Sequence, residues 1–270
     1  SLKLFFKRKE TREEMEKKLT TSDGTKIAYD INGKGKTMLM IHGVTDCKES
    51  YDSDLSYLTE KYQVYRYDLR GHGNSDHPKK QFDLEDHIND GIELIKQLKL
   101  EDFVLYGGSL GSYIAQGIAV RIPERINKLI LNVSAAKNPA SALAETAKKD
   151  NIPEKTSERR EYWIKHLTHD PKNIASIEKS GFQKNTLDAE DEYRALKSIT
   201  AFDFRDQLNK IDCPTLITSG IYDPVNPPAK GEILHKLIKN NQFSKFPSGH
   251  LLRLECAAQY KETVLDFLRK

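Results

Sequence analysis

The chain has 270 residues, 37% hydrophobic and 31% charged, enough to bury a sizeable core in one large α/β domain or one domain carrying an insertion. Its 43 basic and 40 acidic residues are interspersed and leave a net charge of +3; with no aromatic-rich basic patch, this argues against a nucleic-acid partner. Three cysteines, Cys47, Cys213 and Cys256, show no metal spacing and are too few and odd for a disulfide framework, which points to reduced thiols in the cytoplasm, and no apolar run reaches the roughly 18 residues of an integral membrane span.

The N-terminal residues 1–9 combine a short apolar patch with basic residues. The patch is too short for a secretory signal and reads as a docked or frayed arm. Residues 10–18 are charged and read as helical or loose. Two short runs around Asp23-Gly24 predict a β-hairpin. The apolar run 36–41 predicts a strand leading into His42-Gly43. A helix is expected over 51–61 and a strand over 63–67, followed by Asp68-Leu69-Arg70-Gly71-His72-Gly73-Asn74-Ser75. Asp83 can cap a helix whose Leu84, Ile88, Ile92, Ile95 and Leu98 share one face. The run 102–106 reads as a buried strand. It enters Gly107-Gly108-Ser109-Leu110-Gly111, after which Leu110, Ile114, Ala115, Ile118, Ala119 and Ile122 recur at helical spacing. A strand over 128–133 follows. Alternating strands and helices imply a mostly parallel, doubly wound sheet, with the hairpin antiparallel at one edge.

The pattern changes over 137–206, which is polar and charged with helical stretches at 141–149, 157–167 and 189–199 and no strong strand. It reads as a helical cap inserted into a core formed by 1–136 and 207–270. Trp163 is expected to anchor the small core of this insertion, the alternative being that it lines the substrate pocket. The sheet resumes with a strand at 214–219 before Asp223, a helix over 229–238, a strand at 243–246 before His250, and a C-terminal helix.

A G-x-S-x-G between a strand and a helix is the setting of a nucleophile elbow, so Ser109 is the candidate nucleophile. A serine hydroxyl needs a base beside it, and sites in open α/β sheets gather at the carboxyl ends of the strands. His250 and Asp223 both follow predicted strands and complete the order Ser, Asp, His. His42 and His72 also follow strands but precede the serine. His77, His87, His166, His169 and His235 fall in loops or helices, and Asp203 and Asp206 are the alternatives to Asp223. The oxyanion is expected to meet the backbone N–H groups of Leu110 and Val44. No metal or organic cofactor is needed for this chemistry.

Together His42-Gly43, the Asp68–Ser75 run, the elbow, Asp223 and Gly249-His250 resemble the α/β-hydrolase superfamily over roughly 20–136 and 207–270, with the insertion where that family carries its cap. The resemblance implies an α/β-hydrolase fold, structural roles for Arg70 and Ser75, and a serine hydrolase acting on a small-molecule acyl substrate, by default a carboxylesterase. Gly-Gly-Ser-Leu-Gly-Ser also resembles the proline iminopeptidases, which carry Trp and Gln where Leu110 and Leu69 stand here. A ligand sensor on the same fold is the non-enzymatic alternative. Acyl specificity and oligomeric state are not readable from these patterns.

Overall fold

The computed structural model describes residues 17–139, 156–180, 182–183 and 187–270. The N-terminal arm and the helix expected over 141–149 lie outside them.

Strand β1 (Lys17–Thr20) pairs antiparallel with β2 (Lys26–Asn32) across the Asp23-Gly24 turn, so the last of the charged N-terminal stretch is strand and not helix. Six further strands complete the sheet: β3 (Lys36–Ile41), β4 (Tyr62–Tyr67), β5 (Phe103–Gly108), β6 (Ile126–Asn132), β9 (Thr215–Gly220) and β10 (Asn241–Phe246). The order is β1-β2-β4-β3-β5-β6-β9-β10, antiparallel only at β1–β2 and β2–β4. From β3 the chain winds outward to β4, then returns past β3 to β5 and continues the other way. The loops after β3 and β5 therefore face each other at the point where winding reverses, the place such sheets offer to ligands.

Period-2 alternation explains the continuous apolar runs. In β3, Leu39 and Ile41 join one core, while Met38 and Met40 join the other. The first core is covered by α2 (Leu84–Gln97), α3 (Leu110–Ala119) and α7 (Pro228–Leu237), through residues such as Ile88, Ile118 and Leu234. The second is covered by α1 (Asp52–Leu58) and the C-terminal α9 (Ala257–Arg269), through Leu58, Tyr260 and Phe267. Strands buried on both faces need no polar side, which is why they read as unbroken apolar stretches. Asp83 caps α2 in a reciprocal box with Asp86, as its position predicts.

Two local features depart from expectation. The helix expected over 51–61 is shorter: a 3-10 turn, Lys48–Tyr51, leads into α1, whose first turn carries Asp52 and Asp54. The inserted segment is not strand-free. Lys137–Asn138 (β7) pairs with Phe202–Asp203 (β8) and ties its two ends together. Two-residue strands are too short to show any alternation. Between them the described residues form α4 (Thr156–Leu167), α5 (Ile174–Glu178) and α6 (Ala189–Lys197).

Candidate active site

The turn after β5 is set by close packing. A Cβ on Gly111 would sit 2.2 Å from the Ile41 carbonyl oxygen, and one on Gly107 would sit 2.2 Å from that of Gly111. Only glycine lets α3 start this close to β3. Between them Ser109 holds φ 51° and ψ −119°, a conformation costly for a residue with a side chain. Its amide donates to the Asn132 carbonyl at 3.0 Å.

Two later loops meet that hydroxyl. His250 Nε2 lies 2.9 Å from Ser109 Oγ, and His250 Nδ1 lies 2.8 Å from Asp223 Oδ2. With its proton on Nδ1, the imidazole donates to Asp223 and accepts from the serine hydroxyl. Asp223 and His250 are both buried. Burial pushes the Asp223 carboxyl up, but the electrostatic pull of the neighbouring His250 ring, its hydrogen bond and the Asn226 and Val225 amides outweigh that and hold it below its ordinary value. Among the described residues Asp203 and Asp206, the alternatives to Asp223, make no contact of this kind; Asp203 pairs with Arg205 at the surface.

The loop after β3 is held from below by two buried histidines. His42 Nδ1 donates to the Gly43 carbonyl at 2.7 Å, and its Nε2 accepts from the Leu69 amide at 3.0 Å. His72 Nε2 accepts from the Thr45 amide at 3.2 Å, with Nδ1 on the Arg70 carbonyl. Burial lowers both histidines, to about 4 and about 3, with a further push on His72 from His42. Both rings are therefore neutral and can accept through Nε2 while donating through Nδ1. Thr45 takes φ 62°, and an added Cβ on Gly43 would lie 3.4 Å from that of Ser109. The loop thus passes directly over the serine. Among the described residues the Val44 and Leu110 amides have no hydrogen-bond partner.

The cleft above is mainly apolar, lined by Val44, Tyr51, Val133, Trp163, Leu167, Phe182, Leu196, Val225, Leu251 and Leu254. Trp163 does two things. It packs with Leu196 inside the insertion and donates to Glu192 at 2.8 Å, and it also faces the cleft. Arg70 and Ser75 are structural as expected: Arg70 is paired with buried Asp90, and Ser75 bridges the Ala28 amide and the Asp68 carbonyl. Cys47 is fully buried.

Sequence reading passed over Asp46, Ser50 and Arg253, which also line the cleft. Arg253 lies about one helical turn past His250, a spacing that could have flagged it. Asp46 and Ser50 follow the loop bearing Val44 but carry no motif. Gln183 was likewise missed. Its amide donates to Asp46 Oδ1 at 2.9 Å and its side chain donates to Thr45 Oγ1.

An elbow serine at the switch point of an eight-stranded α/β sheet, faced by a histidine and an aspartate from later loops, defines a hydrolase-type site. The family model for the alpha/beta hydrolase fold matches residues 36–255, and the chain belongs to that family; it is an enzyme of the α/β-hydrolase class. Among curated relatives, a non-heme haloperoxidase from Rhodococcus erythropolis is 29% identical over 85% of this chain and 90% of its own length. The 3-oxoadipate enol-lactonase 2 of Acinetobacter baylyi is 26% identical over 82% and 84%. Among solved structures, an esterase from Exiguobacterium antarcticum superposes with a TM-score of 0.82 at 25% identity, covering 95% of this chain and 100% of that one.

Proposed function

We propose that the protein is a serine hydrolase that cleaves a small carboxylic ester through an acyl-enzyme on Ser109. The observation that carries this reading is the unbroken hydrogen-bond chain Ser109–His250–Asp223 opening into an apolar cleft. Similarity to an esterase and an enol-lactonase, both cleavers of carboxylic esters in open or cyclic form, supports it.

His250 takes the hydroxyl proton as Ser109 attacks the acyl carbonyl, and the Val44 and Leu110 amides receive the developing oxyanion. His250 then protonates the leaving alcohol and later activates water to release the acid. Asp223 keeps the proton on Nδ1 and stabilises the imidazolium. The inserted segment, 137–206, acts as the cap, and its Trp163, Leu167, Phe182 and Leu196 set the apolar wall against which the substrate packs. Among the described residues no helix is long and apolar enough to cross a membrane. The free thiols of Cys47, Cys213 and Cys256 suit a cytoplasmic setting.

Ser109→Ala tests the reading on short-chain p-nitrophenyl esters. Turnover falls at least about 1,000-fold while the fold is kept, as judged by circular dichroism. Retained turnover rejects the serine mechanism. A wild-type protein that binds esters but releases no acid identifies a sensor.

A further inference from the structure

The cleft is not apolar throughout. On the side formed by the 3-10 turn Lys48–Tyr51 and α8 (Leu252–Glu255), Asp46, Ser50 and Arg253 come together. Arg253 is buried, donates to Asp54 Oδ2 and, at 3.0 Å, to the Ser50 carbonyl, and lies 4.9 Å from the centre of the Tyr51 ring. Asp46 Oδ1 accepts the Cys47 and Gln183 amides, which leaves its second oxygen as an acceptor. Ser50 is only 2% exposed; its hydroxyl leans towards Asp46, where it favours the charged carboxylate, and among the described residues it lies within full hydrogen-bond distance of no partner. A buried hydroxyl without a partner is expensive, and Ser50 is one of the residues that line the cleft.

The charge balance says what that ligand group is. Among the described residues the corner holds the Asp46 carboxylate and the Arg253 guanidinium, and Asp54 behind them pairs with that guanidinium. An anionic group meets net repulsion there. A neutral group that both donates and accepts satisfies the corner: its proton goes to Asp46 and its lone pair takes the Ser50 hydroxyl. We propose that the corner formed by Asp46, Ser50 and Arg253 binds a hydroxyl group of the substrate, making this enzyme selective for hydroxylated esters over deoxy and carboxylated ones. The inference rests on the ester-hydrolase reading and names its substrate class.

The test compares kcat/KM for methyl esters of unsubstituted, ω-hydroxy and ω-carboxy acids of graded length, together with alkyl and hydroxyalkyl butyrates to cover the alcohol side. The expected result is a hydroxylated ester turned over at least about tenfold better than its deoxy counterpart, with the carboxylated ester poorest. Ser50→Ala and Asp46→Asn should each reduce the hydroxy-to-deoxy ratio about fivefold or more. Ratios near one at every length, a preference for carboxylates, or a ratio untouched by Ser50→Ala would overturn the proposal while leaving the hydrolase reading standing. Calorimetric binding of the same ester pairs to Ser109→Ala decides the question separately. Tighter binding of the hydroxylated member supports the corner even if no ester is turned over, and equal binding rejects it.

Discussion

Ser109 carries a backbone conformation that its side chain disfavours, held because β5, α3 and the loop after β3 leave no other course. Strain of this kind costs about 1–3 kcal/mol. Ser109→Ala keeps the Cβ and therefore keeps the strain, whereas Ser109→Gly removes it. The glycine variant is expected to melt above the alanine variant by the equivalent of about 1 kcal/mol, after the entropy glycine gains on unfolding is subtracted. Equal melting temperatures for the two variants would show that the turn is relaxed. Asp46 carries a different cost. Burial raises its carboxyl from 3.8 to about 6, even with the Gln183 amide and Arg253 favouring the charge. The folded state thus holds this proton more tightly than the unfolded chain does. Stability falls as pH rises between those two values and stays reduced above them, by up to about 3 kcal/mol. Asn at this position retains an acceptor for the amides and does not titrate. The melting-temperature gain of Asp46→Asn over wild type should widen from pH 4 to pH 7, and a gain independent of pH contradicts the assignment.

At the scale of elements, the strand–turn–helix unit around Ser109 depends on how near α3 approaches β3. A methyl group on Gly111 meets the Ile41 carbonyl, and Ile41 leads straight into His42, Gly43 and the loop over the serine. Backbone cannot yield as a side-chain tip can. Gly111→Ala is expected to cost about 2 kcal/mol or more of stability and to lower kcat by displacing that loop; denaturant unfolding with a parallel esterase assay checks both. This unit was the most legible part of the sequence, because its glycines, its apolar strand and its helical periodicity are all local. The β7–β8 ribbon was not legible, since two residues carry no period and its pairing spans more than sixty positions. Nor were Asp46, Ser50 and Arg253. Asp46 and Ser50 follow β3 while Arg253 stands in α8, and only the closure of the sheet brings the two stretches to one wall.

For the molecule as a whole, residues between β7 and β8 and residues of the strand-bearing remainder line one cleft. The His250 amide donates to the Leu167 carbonyl at 2.8 Å, at the end of α4. Glu255 accepts the Gly249 amide on one side, at 2.9 Å, and the His169 and Asp170 amides on the other, at 3.0 and 3.1 Å. Removing that carboxylate in Glu255→Ala leaves three amides without their acceptor. Stability should drop by about 2 kcal/mol and kcat/KM should fall, with Glu255→Gln recovering part of both; thermal melts and ester kinetics read the two effects. An alanine variant with unchanged kinetics would show that the Glu255 bridge does not position His250. The join at Leu167 also bears on how such a chain can be remade. A segment borrowed from another enzyme to change what is cleaved would replace not just a wall of the cleft but the carbonyl that holds the His250 amide. Under the proposed mechanism, taste and reactivity are therefore inherited together, and a transplant needs a donor that brings an acceptor to that one position.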